Sequence, residues 1–387
     1  MPTYTAEYLF DGSQIHKDAF IRCNENGEIE ELGQAQKGMP CEKHFSGLLM
    51  PGFINTHCHL ELSHLKGKVD TGTGLLPFLS NVVQFRDVDQ EEIDHAIAYN
   101  NKYMWDNGIQ ACGDISNKAD TFAVKEASPI RYYTFIEMFD LLQDNLTEMF
   151  FGQYKEVFDA CKEIGGNKYS ASPHAPYSVS QGMFAKINSL NSGNRTISIH
   201  NQETPHENAY FQNKTGDFTA FFKRLGFDDS NFSPIQKDSI YYATEQLDNK
   251  HKTLFVHNTT SNAQNIKDAQ KWGDPYWATC PNANLYIENT LPDYQTFIDC
   301  NAKMTIGTDS LSSNWQLSVL EELKTIQRYN SFIPIETLLQ WSTKNGAEAL
   351  SFNDTLGTFE IGKTPGIIHL SNFDGNSIIE CDVHRIK

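Results

Sequence analysis

His57 and His59 stand one residue apart in Pro51-Gly52-Phe53-Ile54-Asn55-Thr56-His57-Cys58-His59. In extended chain, residues two apart point to the same face, so both imidazoles can reach one metal ion. Three further histidines end apolar runs: His174 in Ser-Pro-His-Ala-Pro-Tyr, His200 in Ile-Ser-Ile-His-Asn-Gln-Glu and His257 in Leu-Phe-Val-His-Asn. Asp309 ends another in Ile-Gly-Thr-Asp-Ser. A lone His-x-His is weak evidence, because histidine is often simply buried and hydrogen-bonded. The joint pattern is specific: each residue sits where an apolar run gives way to a loop, and three histidines with a carboxylate are a familiar zinc set. Such a site makes water a nucleophile near neutral pH.

The elements that must position these residues follow from the apolar runs. Eight read as strands: Leu48–Asn55, Gln110–Ile115, Ile130–Phe139, Tyr169–Ser172, Thr196–Ile199, Thr253–Val256, Tyr276–Thr279 and Lys303–Ile306. Helical patterns lie between them, among them Glu91–Asp106, Asn145–Ile164, Asn262–Lys271 and Gln316–Gln327. Eightfold strand-helix alternation predicts an α/β fold, a parallel (β/α)8 TIM-like barrel, whose catalytic groups gather at the strands' C-terminal ends. The two ends of the chain differ from the middle. Residues 1–47 carry short strands with Asp11-Gly12 and Asn26-Gly27 hairpin signals, and Gly357–Lys387 has β-like runs at Gly366–Leu370 and Ser377–Val383. Both ends are expected to pair into one small β domain, giving 1–50 and 357–387 as the two parts of a β-sandwich around a barrel at 51–356. The segment Thr204–Asn249, with helix candidates Thr219–Leu225 and Ser239–Leu247, exceeds what one crossover needs and is expected to cover part of the site.

Composition bounds the partners. The 387 residues include 31 basic and 49 acidic side chains, for a net charge of −18. Binding to nucleic acid or to anionic membranes is disfavoured, since both need clustered Lys and Arg. The eight cysteines form no Cys-x-x-Cys pair, which argues against a thiolate zinc cluster and suits a reducing compartment. No signal peptide and no apolar run of about eighteen residues is visible, so a cytoplasmic protein is expected.

With these residues in view, the chain resembles the amidohydrolase superfamily, in its cytosine deaminase and chlorohydrolase-like branch. The resemblance rests on PGFINTHCH, HAPYS, HNQE, the VHN after the sixth strand, CPNANLYIEN and GTDS, which span nearly the whole chain. Within the branch, PGFINTHCHLELSHLKG, SPHAPYSVS and DFTAFFKRLGF are most similar to aminodeoxyfutalosine deaminases and adenosine-type nucleoside deaminases. The resemblance implies that His57, His59, His200 and Asp309 hold one divalent metal ion, Zn²⁺ first, with Fe²⁺ or Mn²⁺ compatible. No Lys fills a metal-facing place on strand four, so a mononuclear site is expected. The resemblance makes Glu203 the proton carrier, His257 the group that steadies the developing oxyanion and His174 a substrate contact. It also points to Glu61 as a substrate contact, where an exposed loop carboxylate is nearly as good a reading. Asp309 doubles as acceptor of the water's proton, so Glu203, His257 and Asp309 form the catalytic set.

The expected partner is a small heterocyclic substrate, and a homodimer is the expected assembly. Phe78, Phe85 and Trp315 are the aromatics placed to stack on a ring, Trp315 first among them. Cys280 reads as packing rather than as a nucleophile. The leading function is deamination of an adenine-containing nucleoside or related heterocycle. The alternatives are hydrolysis of another C–N or C–Cl bond, as in a guanine-like base or a triazine, and a barrel kept only as a scaffold.

Overall fold

The computed structural model describes residues 2–164 and 167–387. The strands in chain order are β1 (Thr3–Phe10), β2 (Ile15–Cys23), β3 (Ile29–Gln34), β4 (Lys43–Pro51), β5 (Phe53–Cys58), β6 (Ile109–Ser116) and β7 (Arg131–Met138). They continue as β8 (Lys168–Pro173), β9 (Thr196–Asn201), β10 (Lys252–His257), β11 (Asp274–Thr279), β12 (Met304–Ile306), β13 (Ile367–Leu370) and β14 (Val383–Arg385). All eight strands expected in the middle of the chain are present. They form two four-stranded parallel sheets, β5-β6-β7-β8 and β9-β10-β11-β12, with helices in the crossovers.

The sheets meet at both edges. At one, the His200 amide donates to the His174 carbonyl at 2.9 Å. At the other, the amides of Thr308 and Asp309 both donate to the His57 carbonyl, at 2.9 and 3.0 Å. That second edge depends on Gly307, where a Cβ would stand 2.8 Å from both His57 Cβ and Cys280 Sγ. The strands are apolar on both sides, as expected for sheet covered by helices. Phe53, Phe255, Trp277 and Ile306 face the helix layer, while Ile54, Val256 and Ala278 belong to a second, inner cluster.

The two ends of the chain meet in one six-stranded sheet ordered β14-β13-β4-β1-β2-β3. This corrects two sequence expectations. The run Leu48–Asn55 is not one strand: Leu48–Pro51 pairs with β1 and β13, and the inner strand starts only at Phe53. Gly52 makes the change of sheet, with its amide donating to the Pro365 carbonyl at 3.1 Å and backbone pressing close around it. The run Ser377–Val383 is mostly loop, with strand only from Val383. The Ser377 and Ile378 amides are taken by side-chain oxygens of Asp374 and Gln327, which leaves them no ladder partner. No helix among the described residues is long and apolar enough to cross a membrane.

One buried ion pair ties the fold to the site. Lys125 Nζ lies 2.7 Å from Asp114 Oδ2, and both side chains are fully buried. Lys125 also donates to Ser116 Oγ and Thr134 Oγ1, at 2.9 and 3.2 Å. Asp114 Oδ1 accepts from the Leu60 amide at 2.8 Å, which fixes the chain directly after His59. Removing one partner strands the other charge in the interior. Lys125→Met is therefore expected to destabilise the protein by about 3–5 kcal/mol. Urea unfolding checks this, and the double variant with Asp114→Asn is expected to recover most of the loss; equal midpoints for Lys125→Met and wild type would refute it.

Candidate active site

The expected chemical residues converge at the C-terminal ends of the strands. His57 and His200 are the penultimate residues of β5 and β9, His257 closes β10 and Asp309 follows β12. Three residues here are held in left-handed backbone: Gln202 (φ 48°), His257 (φ 72°) and Asp309 (φ 57°). Such a conformation is uncommon for residues other than glycine and clusters where side chains must be aimed.

Donor atoms of His57, His200, His257 and Asp309 all lie within 4.8 Å of one another. His59 is in the same cluster, its Nε2 standing 3.2 Å from His57 Nε2, 3.3 Å from His200 Nε2 and 3.4 Å from Asp309 Oδ1. Asp309 Oδ1 is 3.6 Å from His57 Nε2. Ligands about 2.0–2.1 Å from one tetrahedral metal ion are about 3.3 Å apart, so these spacings fit a single ion.

The protonation states fit as well. His200 Nδ1 is 2.7 Å from the His174 carbonyl, a pure acceptor, so Nδ1 carries the hydrogen and Nε2 presents a bare lone pair to the cluster. Burial, with the neighbouring imidazoles adding to it, pushes the His200 pKa well below its usual value. Burial pushes His59 down to about 3. Neutral imidazoles are the form that binds a metal. Burial works against a charge on Asp309, but the neighbouring His57, His59 and His257 outweigh it and hold the carboxyl below its usual range. Ser313 Oγ donates to Asp309 Oδ2 at 2.5 Å, leaving Oδ1 toward the histidines.

Glu203 and His257 stand beside the cluster. His257 Nδ1 is 2.8 Å from Asn284 Oδ1, which directs Nε2 to within 3.6 Å of Glu203 Oε1. Asn284 thereby orients His257. Burial, reinforced by Asp309, Glu207 and Glu288, raises the Glu203 pKa well above the carboxylate range. Glu207 holds the loop that aims it, accepting from the Gln202 and Glu203 amides at 3.0 and 3.1 Å.

One cavity opens on this arrangement, with His59, His174, His200, Glu203, His257 and Asp309 in its wall. It encloses about 960 Å³ including its open mouth, and its outer wall is apolar, with Phe78, Val82, Phe139, Tyr177 and Phe221. Phe78 comes from the helix Leu75–Phe85, and Phe221 from the helix Phe218–Arg224 inside the long 204–249 segment. His174 is in place as expected. Glu61 and Trp315 are not among the residues lining the cavity. Glu61 Oε2 accepts the amides of Asn117 and Lys118, and its other oxygen faces Arg86 at 3.7 Å. Trp315 is 50% exposed and packs against Tyr286 outside the cavity. Phe85 is also absent from the lining. Cys280 is buried, with burial raising its thiol far above the reactive range, as packing requires. Two charged cavity residues escaped the sequence reading, Arg86 and Glu137. Glu137 was legible: it is the single acid in the apolar run Ile130–Phe139 and sits at a strand's C-terminal end, where the other chemical residues sit.

The amidohydrolase family model matches residues 48–379, which takes in every residue of the site. The chain belongs to the amidohydrolase family. The family is metal-dependent, and the buried histidine-aspartate cluster fits a divalent ion. Relatives include an adenosine deaminase of Helicobacter pylori, 27% identical over 88% of this chain and 82% of its own length. An aminodeoxyfutalosine deaminase of Nitratiruptor is 25% identical over 87% of this chain and 82% of its own. In fold, this amidohydrolase is similar to the crystal structure of Helicobacter pylori aminofutalosine deaminase in complex with methylthio-coformycin. The TM-score is 0.83 at 23% identity, covering 99% of this chain and 97% of that one.

Proposed function

We propose that this amidohydrolase removes the amino group from an adenine-bearing nucleoside. The observation that carries the reading is the buried Glu203 carboxyl, 3.6 Å from His257 Nε2 and beside the metal-fitting cluster. Amide hydrolysis has no need of a second buried acid there, whereas ring deamination must protonate a ring nitrogen next to the attacked carbon. The named activities of the relatives support the same class.

His57, His59, His200 and Asp309 would hold one ion, with Zn²⁺ favoured by three imidazoles and a carboxylate. When bound, a divalent ion supplies the Lewis acidity that makes water a nucleophile near neutral pH. Glu203 protonates the ring nitrogen. Asp309 accepts one proton from the attacking water, and that proton leaves with the amine as ammonia; the second water proton returns to Glu203 as the carbonyl forms. His257, oriented by Asn284, keeps Nε2 against the reacting carbon and steadies the charge that builds there. We read the two parallel sheets as one eight-stranded barrel with these residues on its C-terminal rim, and the terminal sheet as a flanking sandwich.

The cavity favours a nucleoside over a free base, because its apolar outer wall extends beyond the cluster that would face the reacting ring carbon. Metal-loaded protein is expected to release ammonia from adenosine and 5′-deoxyadenosine, with kcat/KM at least about tenfold above that for adenine, since remote contacts contribute to transition-state binding. Guanine and a chlorotriazine serve as the competing probes. Faster turnover of either would replace this reading.

A further inference from the structure

Glu137 is the acid in the cavity wall that the deamination steps leave unused. Its side chain is 2% exposed and lies in the cavity wall at the end of β7. Asn117 Nδ2 donates to its Oε2 at 3.0 Å, which fixes the carboxylate's orientation. Its Oε1 is buried and has no hydrogen-bond donor among the described residues. Buried polar atoms are nearly always satisfied, so an orphaned one in a ligand cavity marks a place for a donor from outside.

The nearest internal candidate is already committed. His200 Nδ1 lies 3.5 Å from Glu137 Oε1, but its hydrogen goes to the His174 carbonyl at 2.7 Å. Glu137 therefore does not orient His200. A second metal ion among Glu137, His174 and His200 is ruled out for the same reason, since it would need that protonated nitrogen as a ligand.

Resting on the deaminase reading above, we infer that Glu137 Oε1 accepts a hydrogen bond from a sugar hydroxyl of the substrate and so selects for a hydroxylated substituent on the ring. His200 presents Nε2 to the cluster and its opposite edge to Glu137. A ring with its reacting carbon at the cluster carries its substituent outward along that edge, past His174 to Glu137. A hydroxyl suits the position because it can donate to a carboxylate and equally accept from a carboxyl.

The test compares adenosine with 2′,3′-dideoxyadenosine on metal-loaded protein, by ammonia release and by calorimetric binding. Wild type is expected to favour adenosine by about 100-fold or more, because a site built around a hydroxyl rejects the analogue lacking it. Glu137→Met is expected to abolish that preference while leaving metal content and turnover of the dideoxy compound within about threefold. Glu137→Gln, which keeps an oxygen of similar reach, is expected to fall between. Equal treatment of the two compounds by wild type overturns the inference, and needs no variant to fold. An equal loss on both compounds in the variants, with metal lost, overturns it in favour of a role in holding the cluster. Preferential binding of adenosine without any ammonia release would overturn the deaminase reading and leave Glu137 in place; equal release from both would do the reverse.

Discussion

Glu203→Gln is expected to lower kcat for an adenine nucleoside by about 10²–10⁴-fold while metal content stays at the wild-type level. The substitution keeps the shape of the side chain and removes only its ability to give and take a proton. Nothing in the cluster needs Glu203 as a donor: the spacings of 3.2 to 3.6 Å among His57, His59, His200 and Asp309 are complete without it. Burial raises the pKa of the carboxyl, which favours the proton-carrying form that the ring nitrogen needs. Glu207 sets its aim through two backbone amides and has no access to the ring. Glu207→Gln is thus expected to cost less than Glu203→Gln. Steady-state ammonia release together with metal analysis of the same preparations reads both effects. Unchanged turnover in Glu203→Gln would remove the proton carrier from the mechanism.

The strands and the chemical residues at their ends were legible in the sequence, because both come from local pattern. An apolar run that stops at a histidine is visible without a structure, and four such runs, with the one that stops at Asp309, place the residues at one end of the strands. What depends on tertiary approach was not legible. The break at Gly52 is set by the Pro365 carbonyl, more than three hundred residues away, so the sequence joined β4 and β5 into one strand. Glu61 and Trp315 lie in sequence next to His59 and Asp309, and proximity along the chain suggested substrate contact. Glu61 is instead held by amides of Asn117 and Lys118, and Trp315 leans outward on Tyr286. The apolar wall of the cavity comes from helices in the first loop and the long insert, whose packing over the rim no periodicity reveals. Glu137 was readable by the same rule that found His174 and was passed over only because its strand is otherwise apolar.

Asp309→Asn and His57→Ala are each expected to leave the dialysed protein with less than about a tenth of the wild-type metal. Changes merely behind a ligand cost 10–100-fold in metal affinity, and loss of a ligand costs more. Among the described residues, Asp309 is the single carboxylate within 4 Å of the His57 and His59 nitrogens, so its amide removes the anion that offsets the ion's charge there. Wild type is expected to gain about 3–4 kcal/mol in unfolding free energy when the metal is present at 100–1,000 times its Kd. Neither variant should show that gain, which thermal unfolding with and without chelator measures directly. Retention of full metal content would refute the donor set. His257→Ala decides the remaining choice, because His257 shares the cluster with His59 yet points Nε2 at Glu203. A residue that steadies charge in the reaction can be removed without releasing the ion, so this variant is expected to stay loaded and to lose turnover. Loss of the metal in His257→Ala, with His59→Ala still loaded, would exchange the two histidines' roles. The strained left-handed backbone at His257 would then serve metal binding rather than catalysis.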